Sequence, residues 1–372
     1  MPQTRDALTR FVQETEYLLL NSLTQYDKNA SCKITPSLDL GFPHDVERIA
    51  GGFPTGCLVT WESSVPYIPI DTTVNVCTTS VYTLSAPLSE FFSTRYIENI
   101  LDSAKSGSYI PNFHRGNHFI VIAKNSKQQE ILLLHSSAAE FKRQFNGLYP
   151  TRNNWYDNDV KVYQNNNRYI RYIVDRPALL FYAMAKQLVS YNETRHNFFA
   201  ELLVEKNIHI SSVKHCHHYD MPSRSSVLIG SYLIKERETV PVLSRPGKPI
   251  LIYTTLNPKH KHIVNGETMI LVPHGWGKTC SKYPNIKIDS ENNRFSLNDN
   301  SYEIEPGASL RDHPDLMLRD YSFDTQLNKY KTYEDELINW NNGTIDEYWH
   351  QVCSYNKNGF QKWTHSPKYL VV

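Results

Sequence analysis

An α+β fold, with mixed sheets and flanking helices, is what this sequence predicts. Apolar residues recur at helical period in Thr4 to about Leu23, Pro87 to Leu101 and Asp175 towards Glu205. Between these segments lie runs of valine, isoleucine, threonine and tyrosine, the composition of strands. No Ser/Gly/Pro-rich linker divides the 372 residues. The chain therefore reads as one large domain, or as a core over 1–282 with a C-terminal extension over 283–372 packed on it.

Taken in order, Leu8, Phe11, Val12, Leu18 and Leu19 share one face of the first helical segment. Cys32 to Gly41, followed by Gly51, Gly52, Pro54 and Gly56, reads as loops and short strands, and Cys57 to Leu84 as β structure. Phe119-Ile120-Val121-Ile122 and Ile131-Leu132-Leu133-Leu134 flank the polar link Lys124 to Gln129, which is the pattern of a hairpin. Antiparallel pairing then brings His118 and His135 to one edge of the sheet. Ala138 to Asn167 has no clear period. The long helix opens at Asp175, a residue suited to an N-cap, with Pro177 in its first turn, and is expected to carry Leu180, Met184, Leu188 and Phe199 inward. Ser226 to Ile234, Lys248 to Thr255 and Met269 to Val272 are strand-like, the last delivering His274. Tyr283 to Ser309 carries short hairpin cues, Asp324 to Trp349 looks helical and acidic, and the tail after Lys368 looks extended.

Lys and Arg number 39 against 38 Asp and Glu. A formal charge of +1 supplies no whole-protein field for nucleic acid. A polyanion would need a local basic groove, for which Lys259, Lys261, Lys278, Lys282 and Lys287 are candidates. Six scattered cysteines without a CxxC pair fit a reducing cytoplasm, and no stretch approaches a membrane span. The Asn-x-Ser/Thr triplets at Asn29, Asn192 and Asn342 are expected by chance in an Asn-rich chain.

Five points could converge on a cation: Cys77, His118, His135, the run His215-Cys216-His217-His218, and His274 before Gly275-Trp276-Gly277. One thiolate among several imidazoles suggests zinc by softness. His274, held where a glycine lets the backbone bend closely, suits a ligand or a nucleophile. Two other signals read as bland. Gly277-Lys278-Thr279 ends like a P-loop, but Val272 stands where its first glycine belongs, and His196 within the long helix reads as a surface or packing residue.

In order along the chain, Gly116-Asn117-His118-Phe119-Ile120, His135-Ser136, Cys216-His217-His218 and His274-Gly275-Trp276-Gly277-Lys278 resemble the GNHF(I/L)E, HSGSR, HHN and HGAGR signatures of the RtcB-type RNA ligases. Upstream, Pro36 to Gly41 resembles MPDxHxG and Val74-Asn75-Val76-Cys77 resembles VDIGC. The resemblance runs from about Thr35 to Lys282. It implies an RtcB-like fold around a central metal site, with GTP and one or two Mn2+ ions as cofactors, Zn2+ being the alternative metal. By the same resemblance Cys77, His118, His135 and His218 are metal ligands, with Asp71 the nearest carboxylate. His274 is then the nucleophile that takes up guanylate, and Asn117 and Lys278 contact the nucleotide. The implied reaction joins an RNA 3'-phosphate, or 2',3'-cyclic phosphate, to a 5'-hydroxyl, and an archease-type activator is an implied partner. The departures are Asn75 for aspartate, Val121 for glutamate, Tyr219 for asparagine and Lys278 for arginine. They leave open a non-ligating metal protein that binds RNA or a partner protein, or a metal-dependent phosphoesterase.

Overall fold

The structure, a computed structural model, describes residues 2–41, 43, 51–72, 76–104, 109–114, 117–138, 140, 155–165, 168–205, 207–244, 246–259, 261–275, 286–289, 294–297, 300–303 and 333–363. It is a mixed α+β fold dominated by sheets. Within the described residues, no helix is long and apolar enough to cross a membrane.

The first sheet joins β1 (Ser31–Gly41), β2 (Thr55–Glu62), β11 (Ser226–Ile229) and β10 (Tyr219–Ser223). A small sheet pairs β3 (Tyr67–Pro69), β8 (Arg168–Val174) and β7 (Lys161–Asn165). Another pairs β12 (Ser231–Ile234), β16 (Glu267–Pro273) and β15 (Lys261–Val264). Gly230, at φ 68°, separates β11 from β12, so the expected strand over 226–234 is two.

The largest sheet runs β13 (Thr239–Val242), β14 (Ile250–Thr255), β20 (Gly343–Asn356), β5 (Phe119–Lys124), β6 (Glu130–Ser136), β4 (Thr78–Leu84) and β9 (Ile210–His217), with β21 (Gly359–Lys362) paired to β20. Alternation assigns its faces. Ile120, Ile122, Leu132, Leu134 and Tyr82 pack with Phe199 and Leu203 of the long helix Asp175–Leu203 and with the helix Thr94–Ala104. Val81, Phe119, Val121 and Leu133 point the other way and meet Ile250 and Ile252 of β14. The sheet thus curls until strands near its two ends share a core, and the Lys214 ammonium on β9 donates to the Thr239 carbonyl of β13 at 2.5 Å.

Four expectations are corrected. The helix expected over 87–101 begins only at Thr94. Before it, the buried Glu130 carboxylate accepts the amides of Leu88 and Ser89 and the Ser89 hydroxyl, which bends the chain into a turn. The long helix buries Leu188 and Phe199 but exposes Leu180 at 44 % and half-buries Met184. The acidic helix is Tyr333–Asn341 and stops before Gly343, where β20 starts. Finally, β20 is no appendage laid on a core ending at 282. It stands between β14 and β5, pairing with both. β17 (Ile286–Asp289), β18 (Arg294–Leu297) and β19 (Asn300–Glu303) form the expected small meander, whereas the extended tail after Lys368 lies outside the described residues.

Candidate metal centre

The hairpin of β5 and β6 sets the first candidate ligand. Phe119 pairs with His135, so His118 lies just before β5 and His135 one residue from the end of β6, both at the same edge. β4 pairs with β6 through Thr78 and Ser136, which carries Cys77 to that edge from the neighbouring strand. β9 pairs with β4 through His217 and Thr78, and the chain leaving β9 delivers His218.

These segments converge. Single donor atoms of Cys77, His135 and His218 all lie within 4.8 Å of one another, and all three side chains are buried. His135 Nε2 is 3.1 Å from His218 Nε2 and 3.8 Å from Cys77 Sγ. His135 Nδ1 lies 3.0 Å from the Asn117 carbonyl, which can only accept, so Nδ1 carries the proton and Nε2 presents its lone pair. Two imidazole nitrogens that close repel unless a proton or a cation is shared between them, and a thiol beside them completes a donor set suited to a soft cation. The residues present therefore fit a metal ion. Burial, and then the proximity of His274, pushes the His135 pKa down to about 3. Burial, with His274 and His135 nearby, holds His218 well below its ordinary value. Both imidazoles are neutral at physiological pH, the form that binds metal.

His274 completes the group. Its ring stacks on His218 with centroids 4.6 Å apart, and the Asp39 carboxylate accepts its Nδ1–H at 2.9 Å. Asp39 Oδ2 also accepts the backbone amides of His274 and Gly275, at 3.0 and 3.3 Å, and both side chains are buried. Two glycines permit this approach. A Cβ on Gly275, at φ 82°, would collide with the Leu243 carbonyl oxygen, and one on Gly56, at φ 76°, with the Asp39 carbonyl oxygen. Sequence reasoning missed Asp39, because Cys32 to Gly41 reads as loop and short strand. Alternation around Leu38 and Leu40 would turn the acid outward, whereas β1 buries Asp39 and leaves both leucines half-buried.

The other expected residues lie elsewhere. Asp71 is not with the trio: its carboxylate pairs with the Arg171 guanidinium at 2.5 Å and accepts the Arg171 amide at 2.8 Å. The structure thus places this carboxylate in an ion pair, outside the Cys77, His135 and His218 group. His118 flanks the trio, its ring centroid 6.0 Å from that of His135 and its Nε2 3.5 Å from Ser137 Oγ. Asn117 stands beside the site and contributes its carbonyl. Lys278 lies outside the described residues, as does the P-loop-like Gly277-Lys278-Thr279. Of the lysines expected to line a groove, Lys261 pairs with Glu236 and Lys259 donates to the Asn339 carbonyl, whereas the side chains of Lys278, Lys282 and Lys287 lie outside the described set.

The dense run at 215–218 divides between the two faces. Cys216 packs among Tyr232, Val240 and Leu251, where burial pushes its thiol up to about 12. His217 accepts or donates with Thr78 Oγ1 at 3.1 Å and pairs with Glu193 at 2.7 Å. His215 Nδ1 meets Ser80 Oγ at 2.7 Å. Ser80 also bonds His196 Nδ1 at 2.7 Å, while His196 Nε2 meets Ser136 Oγ at 2.8 Å. His196 is thus a packing residue, fully buried and satisfied at both nitrogens.

No family model matches the chain, and no curated protein matches it.

Proposed function

We propose that this chain is a metal- and GTP-dependent RNA ligase of the RtcB kind, joining a 3'-phosphate or 2',3'-cyclic phosphate end to a 5'-hydroxyl end. The observation that carries the reading is His274. In the neutral ring, an Nδ1–H held by a buried carboxylate leaves the lone pair on Nε2, and this ring stacks on His218 of a Cys/His/His donor set. His274 Nε2 attacks the α-phosphate of GTP and pyrophosphate departs. A 2',3'-cyclic end is first opened by water, which breaks its P–O2' bond; the guanylate then passes to the RNA 3'-phosphate, freeing His274, and the 5'-hydroxyl displaces GMP as the strands join. Cys77, His135 and His218 would hold an Mn2+ or Zn2+ ion, which offsets phosphate charge when bound. Asp39 orients His274 and stabilises the charge its ring acquires. Asn117 and Lys278 remain the nucleotide contacts in this reading, and an archease-type activator a partner.

Incubation with manganese and α-labelled GTP should give an acid-labile, base-stable protein adduct. His274→Ala should abolish it, and Asp39→Asn should slow its formation about 100-fold or more. Equal labelling of wild type and His274→Ala would sink the mechanism.

One observation favours a second reading, a metal protein that does not ligate. The Asp71 carboxylate, expected to serve a second ion, is taken by Arg171. One bound metal equivalent with no calorimetric heat on adding GTP would decide for it.

A further inference from the structure

Behind the ligand strands, the long helix turns a polar face towards the sheet that the proposed chemistry does not use. Asn192, Arg195 and His196 are each fully buried there. The Asn192 side-chain amide lies 2.8 Å from the Val76 carbonyl, 3.0 Å from Thr78 Oγ1 and 3.0 Å from the Ser136 carbonyl. Val76 and Thr78 flank Cys77, and Ser136 follows His135. A single carboxamide therefore grips both strands immediately beside their ligands.

Two further facts give that grip direction. Arg195 donates to Asn192 Oδ1 at 3.2 Å and to Ser136 Oγ at 2.8 Å. The guanidinium has no acceptor, so it fixes the amide with its oxygen towards Arg195 and its NH2 towards the three acceptors. Val76 also sits at φ 49°, a conformation unfavourable for a β-branched residue, and persists only where its surroundings over-determine it. Asn192 supplies such a restraint one residue before the thiol.

We infer that Asn192 is a positioning residue of the metal centre, setting the span between Cys77 Sγ and His135 Nε2 from the opposite face of the sheet. The inference rests on the metal reading of Cys77, His135 and His218. A metal fixes its donors within tenths of an ångström, and here two of them ride on different strands. Their offset is governed by the hydrogen bonds that tie one strand end to the other. Burial makes those bonds costly to exchange for water.

Cobalt(II) titration of the full chain tests this, because the thiolate-to-cobalt absorption band reports both ligation and geometry. Asn192→Leu and Asn192→Ser should bind cobalt about 10- to 100-fold more weakly than wild type, with a shifted or weakened band. Asn192→Ser leaves room for water to satisfy the strand groups, and decides the question if the leucine variant does not fold. Thr194→Val is the control on the same helix, since its hydroxyl bonds only the Ser190 carbonyl at an exposed position. It should match wild type in affinity and spectrum, and an equal loss there would overturn the inference. Wild-type affinity and spectrum in the Asn192 variants would overturn the positioning role alone. Absence of the band from wild type would instead remove the metal reading itself.

Discussion

His135 and His196 lie on opposite sides of the same strand, both wholly buried, and they illustrate two uses of an imidazole. On the helix side every donor has an acceptor. Arg195 donates to Ser136 Oγ, which can donate to His196 Nε2. His196 Nδ1–H then serves Ser80, and Ser80 can serve His215 Nδ1. On the other side, three donor atoms meet: His135 Nε2 presents its lone pair towards His218 Nε2, with the Cys77 sulfur beside them. Burial alone therefore does not distinguish a ligand from a structural histidine. What separates them is whether the hydrogen-bond partners close the circuit or leave acceptor atoms aimed at a common point.

Three substitutions would break or sharpen this contrast. The largest effect is expected for Cys77→Ala, which should lower metal affinity on the order of 1,000-fold, measured by competition with a chromophoric chelator. Loss of an outer partner already costs about 10- to 100-fold, and this removes a donor itself. Asp71→Asn should act the other way round. It uncouples a buried carboxylate from Arg171 and should cost about 3 kcal/mol in urea unfolding while leaving metal stoichiometry unchanged. A loss of bound metal in that variant would restore Asp71 to the centre.

The smallest effect concerns pH. Burial, and then Arg195, holds His196 well below its ordinary value of 6.5. Above that value folded and unfolded chains bind the same number of protons at this residue. As pH falls below it, the unfolded chain takes up a proton that the folded chain refuses, and stability is lost at about 1.4 kcal/mol per pH unit. His196→Leu should make the decline of the urea-unfolding free energy between pH 6.5 and 5 shallower by that amount. An unchanged slope would mean that His196 is protonated in the fold.

Much of the site was legible in the sequence because its parts are local. The hairpin of β5 and β6 follows from two aliphatic arms and a polar link, and its register puts His135 at the edge. His274 at the end of β16 follows from Met269 to Val272 in the same way. Less legible were contacts set by distant pairings. Asp71 is claimed by Arg171, and Asp39 by His274, and nothing local distinguishes the two carboxylates. The run at 215–218 looked like a single cluster, yet strand alternation sends His215 and His217 to the helix and His218 to the centre. The turn before Thr94 was hidden for a similar reason, since the carboxylate that shapes it belongs to Glu130 on another strand.

The place of β20 bears on how the molecule is assembled during synthesis. β5 pairs on one side with β6, its neighbour in the chain, but its other edge waits for residues 350–356. Until those leave the ribosome, the nascent polypeptide presents the unpaired backbone of an apolar strand, an invitation to stray association. The step that completes the largest sheet is therefore also the one that covers that edge.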